Sequence, residues 1–124
     1  MPLYNNSYPP SAATRGIDVT IVNAEQLGTN NFSQRAAIAE PTGRSPEAVT
    51  LTFSYASVPG AVEYDIYVGW DDTLGTAGYA KVGSTTNTAG DQVTIQRGSG
   101  QNFRLVMVKE VTSPGVNATV QVRV

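Results

Sequence analysis

The chain has 124 residues, 15% of them charged, with a net charge of −2 and a pI of about 4.9, enough for one domain with a core of its own. It contains neither cysteine nor histidine, which removes thiol nucleophiles, histidine-based triads, disulfides and the common zinc ligand sets. Only two of its eight cations are lysines, Lys81 and Lys109, and they form no basic run, so nothing displaces the counterions of a nucleic acid.

The opening M-P-L-Y-N-N-S-Y-P-P carries two tyrosines and three prolines without apolar periodicity. Proline favours extended backbone, and tyrosine gives an extended segment something to bury. The expectation is an N-terminal arm over residues 1–15 whose Leu3, Tyr4, Tyr8, Pro9 and Pro10 lie on a partner. No cationic stretch leads into an apolar core here, so an export signal is not expected. No apolar run approaches membrane-spanning length, so a membrane is not expected as a partner.

Residues 16–124 read as a single β-domain, because apolar side chains recur at every second position, which lines one face of a strand. A short strand is expected at residues 17–22. Residues 24–47 lack sustained alternation: Ser33 could cap a short helix over residues 34–39, and a strand over residues 35–40 fits as well. Val49, Leu51, Phe53 and Tyr55 then alternate with Thr50, Thr52 and Ser54. After Pro59-Gly60, Val62, Tyr64, Ile66 and Val68 take the core side, with Glu63, Asp65 and Tyr67 turned to water. Residues 79–82 and 93–96 make shorter candidates. Phe103, Leu105 and Met107 flank Val106 and Val108, so this strand is apolar on both faces and is central or covered by a partner. Val116, Ala118, Val120, Val122 and Val124 close the chain in alternation. Short strands separated by Gly, Pro and Asp turns at this spacing specify an all-β sandwich or barrel.

The stretch V-P-G-A-V-E-Y-D-I-Y-V-G-W-D-D, residues 58–72, gathers four carboxylates and three aromatic rings. Glycoside hydrolysis needs only two carboxylates across a sugar ring. Here Glu63 and Asp65 are expected on a solvated face, and Asp71-Asp72 opens a loop where Asp accepts local backbone hydrogen bonds. Asp71, Asp72 and Asp91 offer hard oxygen ligands for calcium, but no D-x-[DN]-x-[DN]-G loop frames them. No catalytic residue, metal site or cofactor is therefore expected. The aromatic residues are the stronger lead: Tyr67, Trp70 and Tyr79 could form one platform, stacking on a sugar or burying against a protein. Alternatively Trp70 finishes the end of the core and Tyr67 covers a neighbouring strand.

The run V-T-L-T-F-S-Y-A-S-V-P-G-A-V-E-Y-D-I-Y-V resembles the B strand, turn and C strand of fibronectin type III and immunoglobulin-like domains, with Tyr64 as the buried C-strand tyrosine. G-Q-N-F-R-L-V-M-V-K-E-V is similar to the F strand of that family, and residues 116–124 to its G strand. The resemblance covers about residues 47–124 and implies an antiparallel β-sandwich, a jelly roll being the alternative architecture. The sequence departs from the pattern at Phe103, which stands where the family carries a tyrosine.

In style, a short chain without Cys or His, rich in Thr, Val, Asn and Gly and led by an extended arm, resembles the small virion proteins of tailed bacteriophages, capsid decoration (cement) proteins among them. That resemblance implies a non-enzymatic structural protein present as a homo-oligomer or in many symmetric copies. Its partners would be the major capsid protein or other virion proteins, in a particle assembled in the host cytoplasm. The alternative is a carbohydrate-binding or adhesion module of a tail, fibre or cell surface.

Overall fold

A computed structural model describes residues 11–13, 18–38, 48–70, 72–96 and 103–124. Among these residues ten strands run in order: β1 (Ser11–Ala13), β2 (Val19–Glu25), β3 (Asn31–Phe32), β4 (Ala36–Ile38), β5 (Ala48–Tyr55), β6 (Glu63–Gly69), β7 (Tyr79–Thr85), β8 (Asp91–Gln96), β9 (Leu105–Thr112) and β10 (Ala118–Arg123). They form two sheets facing each other across one core. The first has the order β1-β4-β9-β6-β7, with β3 also on β9, and the second the order β2-β10-β5-β8.

The inward halves of the strands are the ones that alternation selects. Val49, Leu51 and Phe53 of β5 meet Val120 and Val122 of β10 within the second sheet, and Tyr64, Ile66, Val68, Val106 and Val108 of the first sheet close over them. The rings of Phe53 and Tyr64 meet across the interface with centroids 5.5 Å apart. Each fully buried side chain of this size stabilises the fold by roughly 1.5–3 kcal/mol.

The all-β sandwich is as expected, but its strand order is not that of a fibronectin domain. In that family the last strand pairs with the penultimate one. Here β10 leaves β9 and inserts between β2 and β5. The place beside β9 is taken by β3 and β4. With β3 and β4 counted as one interrupted strand and β1 set aside, the sheets read first-last-third-sixth and second-seventh-fourth-fifth, the order of a jelly roll. Alternation tells which face of β10 is buried; it carries no information about which backbone β10 bonds.

The segment that fits helix or strand equally well in sequence is strand. β3 and β4 both run antiparallel to β9, separated by an irregular step at residues 33–35. Ser33 bridges that step. Its N–H donates to the Val108 carbonyl (2.7 Å), and its hydroxyl accepts the Val108 N–H (3.0 Å) in place of a backbone carbonyl. A side chain that continues the ladder lets the strand kink without leaving a buried N–H unpaired. Of the expected arm, residues 11–13 form β1, which adds parallel to the edge of β4; Leu3, Tyr4, Tyr8, Pro9 and Pro10 lie outside the described residues.

Candidate functional site

The first sheet carries a second apolar cluster on its outer face, away from the sandwich core. Register lines it up in three cross-strand rows. Tyr79 of β7 lies opposite Gly69 of β6, which lies opposite Leu105 of β9, which lies opposite Ala37 of β4. Lys81, Tyr67 and Met107 make the second row, and Asp65, Lys109 and Phe32 the third. Tyr79, Leu105 and Met107 are buried, with Phe32, Ala37 and Tyr67 packed around them.

Two local devices explain how the outer face of a sheet hides these groups. Tyr67 and Phe32 belong to the two strands that flank β9, roughly 10 Å apart at the backbone. Their ring centroids nevertheless stand 5.3 Å apart, edge to face at 67°, so the rings arch over β9 and roof Met107. The Lys109 ammonium lies 5.5 Å from the Phe32 centroid, a cation–π contact on the same roof.

The second device is the missing side chain of Gly69. A Cβ built there would stand 2.8 Å from two ring carbons of Tyr79 and 3.0 Å from the Gly78 carbonyl. The Tyr79 ring therefore lies directly on the Gly69 backbone. Gly69→Val is expected to displace that ring and cost about 1–3 kcal/mol of overpacking, read as a lowered urea midpoint with an unchanged slope.

Charge is also arranged on this face. The two lysines of the chain, Lys81 and Lys109, both stand on it, with Asp65 between them. Lys81 Nζ pairs with Asp65 Oδ1 at 3.3 Å. Asp65 is thus corrected from a solvated to a buried position, 8% exposed. Alternation places Asp65 on the outer face, and the Tyr67–Phe32 roof takes water away from that face.

Beneath the sheet, facing the core, Glu110 is fully buried. Its carboxylate accepts the Tyr64 hydroxyl (3.0 Å) and the Gly28 N–H. Gly28 has φ of 92°, a left-handed conformation suited to glycine, and Asn31 Nδ2 donates to the Leu27 carbonyl at 2.6 Å. Glu110 therefore fixes the loop that delivers Phe32 to the outer face. Burial first, then the Glu110 charge and hydrogen bond, push the Tyr64 phenol far above the ordinary tyrosine range. Burial, then Asp91 and Glu110, push Tyr55 up to about 12. Among the described residues the two buried carboxylates, Asp65 and Glu110, lie on opposite faces of one sheet, which stands between them.

Of the three aromatic residues proposed as a platform, Tyr67 and Tyr79 do share a face. Trp70 follows the last residue of β6 and is 55% exposed, while Tyr79 is only 8% exposed. The three rings are therefore not exposed together as a sugar platform requires, and Trp70 does not finish the core. Tyr67 covers a neighbouring strand, as one of the sequence readings had it. Phe32, Leu105 and Met107 were not assigned to this surface from sequence. The signal for two of them was the both-faced apolarity of β9; Phe32 had none, since β3 is two residues long. Asp71 lies outside the described residues. Asp91 is engaged locally, accepting the Thr85 hydroxyl and the Gln92 N–H. Among the described residues no three His, Cys, Asp or Glu side chains gather as a metal site, and no helix is long and apolar enough to cross a membrane.

No family model matches the chain, and no curated protein matches it in sequence. In fold it is similar to the SPBc2 prophage-derived protein YomS, with a TM-score of 0.54 and 15% identity over 86% of this chain and 88% of that one. Matches with lower scores include a family 16 carbohydrate binding module-2 (TM-score 0.34, 14% identity, 85% and 71% of the two chains). Another is CorA, a surface-associated copper-binding protein of Methylomicrobium album BG8 (TM-score 0.41, 9% identity, 93% and 98%). At these identities the likeness to YomS is one of fold.

Proposed function

We propose that the chain is a non-enzymatic structural protein of a phage particle, a capsid decoration protein that binds the major capsid protein or another virion protein in many copies. The observation that carries this reading is Trp70: a tryptophan left 55% exposed just beyond β6, the strand whose Tyr67 packs on Phe32 of β3. Tryptophan and tyrosine dominate the energetics of protein contacts, and an exposed tryptophan offers a large apolar ring to bury there. The fold likeness to a prophage-derived protein supports the phage setting. Contacts of modest strength, repeated over a symmetric shell, sum through multivalency.

The test is to purify particles assembled from the genome that carries this chain and to count its copies by quantitative mass spectrometry. Hundreds of copies per particle are expected. Trp70→Ala, an exposed substitution that leaves the core untouched, is expected to lower that number at least about tenfold, the loss of an anchor contributing about 2 kcal/mol or more. Removal of residues 1–10 is expected to lower it as well. Particles devoid of the chain would sink the decoration reading, and unchanged occupancy of the Trp70 variant would remove Trp70 from the contact.

A further inference from the structure

Most cations among the described residues are used within the fold. Lys81 pairs with Asp65 at 3.3 Å, and Arg123 pairs with Asp18 at 2.8 Å. The Lys109 ammonium lies over the Phe32 ring, and Arg35 is buried and engaged. Arg104 differs from all of these. It is exposed, and among the described residues its guanidinium meets neither a carboxylate nor a ring.

The fold sets this unused cation beside the exposed tryptophan. The Arg104 N–H donates to the Gly69 carbonyl at 2.9 Å, and that carbonyl belongs to the peptide leading into Trp70. On the other side, the Arg104 carbonyl accepts the Ile38 N–H at 2.7 Å. Arg104 is therefore tied through its backbone to the last residue of β6 and the last residue of β4. Its neighbours Phe103 and Leu105 are both buried. With the main chain fixed on both sides, only the side chain is left to be ordered when a partner docks.

We propose that Arg104 and Trp70 form one contact, and that the protein surface they meet carries a carboxylate beside an apolar recess. Tryptophan and arginine are both enriched at protein interfaces, and both belong to the few residue types that carry most of the binding energy. The guanidinium presents a planar fork that matches a carboxylate through two parallel hydrogen bonds. The indole fills the recess next to it.

Charge complementarity sets the occupant. A guanidinium without a counter-charge calls for an acid, and the ring beside it calls for apolar atoms. A lone arginine releases too few counterions to hold a nucleic acid, whereas one bidentate carboxylate satisfies it. The inference rests on the reading of the chain as a virion protein, and it names the chemistry that the partner in the particle carries.

The test uses particles assembled with the full chain, its copies counted by quantitative mass spectrometry. Arg104→Ala is expected to lower the copy number at least about tenfold, and Arg104→Glu to lower it further. Urea midpoints stay unaltered, because the fold bonds only the backbone of Arg104. Arg104→Lys keeps the charge but loses the fork, so it recovers part of the binding. That variant also places a primary amine at the contact, and a carbodiimide couples an amine to a carboxylate it touches. The expected product is a crosslinked peptide joining residue 104 to an Asp or Glu of another virion protein. A full copy number for Arg104→Glu would overturn the proposal and leave the phage reading standing. So would an Arg104→Lys chain that stays on the particle and yields no such peptide. Particles devoid of the unmodified chain would overturn both.

Discussion

Glu110→Ala is expected to destabilise the fold by about 3–5 kcal/mol, with each buried donor left without an acceptor costing roughly 1–3 kcal/mol and the cavity adding to it. Two donors are stranded at once: the Tyr64 hydroxyl and the Gly28 N–H. The Tyr64 hydroxyl is held where water does not replace the carboxylate, since Glu110 and Tyr64 are fully buried, whereas Gly28 is half-buried. A fold of this size has about 5–15 kcal/mol of stability in total, so the loss is a large share of it. Urea unfolding followed by circular dichroism reads the loss directly. Glu110→Gln should cost less, because its amide oxygen accepts from one donor while its NH2 can be accepted by the phenol oxygen of Tyr64. If glutamine proved as damaging as alanine, the negative charge rather than the hydrogen-bond pattern would be what the loop needs. The effect is also expected to reach the outer face, because the loop that Glu110 fixes runs into Phe32.

Alkaline pH should unfold the protein through the same cluster. A phenol whose pKa is raised on folding is protonated in both states below pH 10, and its contribution to stability is complete there. Above pH 10 the unfolded chain releases the Tyr64 proton while the folded chain retains it. Stability then falls by about 1.4 kcal/mol per pH unit from this one group. Tyr55, whose pKa rises only to about 12 and whose ring is only partly buried, adds a smaller loss over pH 10–12. Thermal melts between pH 9 and 12 are expected to show a level stretch and then a steep decline. Tyr64→Phe should lower stability at neutral pH, by removing a hydrogen bond to a charged acceptor, and flatten the alkaline decline. An alkaline slope unchanged in that variant would place the titrating group elsewhere.

The sandwich and most of its core were legible from alternation. The inward sets of β5, β6 and β10 are the residues that stand at every second position. The pairing partners were not legible: periodicity encodes which face of a strand is dry, but β10 presents the same face whether it lies beside β9 or between β2 and β5. Asp65 was misplaced for a related reason. Alternation assigned it correctly to the outer face, and the assumption that the outer face is wet failed, because Tyr67 and Phe32 roof that face from strands far apart in sequence. β3, β4 and the Ser33 bridge were ambiguous because strands of two and three residues are too short to show a period.

The all-β character, the buried row Val62, Tyr64, Ile66 and Val68, and the lack of thiol and imidazole side chains were determined by the sequence alone. These follow from composition and from the two-residue repeat of a strand, which are local properties of the chain. Tertiary structure alone decided the jelly-roll order, the burial of Asp65 and Tyr79, the Glu110 anchor and the exposure of Trp70. Each of those depends on which distant backbone a strand bonds, and on what lies above its outer face. That is settled by contacts between residues tens of positions apart, which no local pattern records.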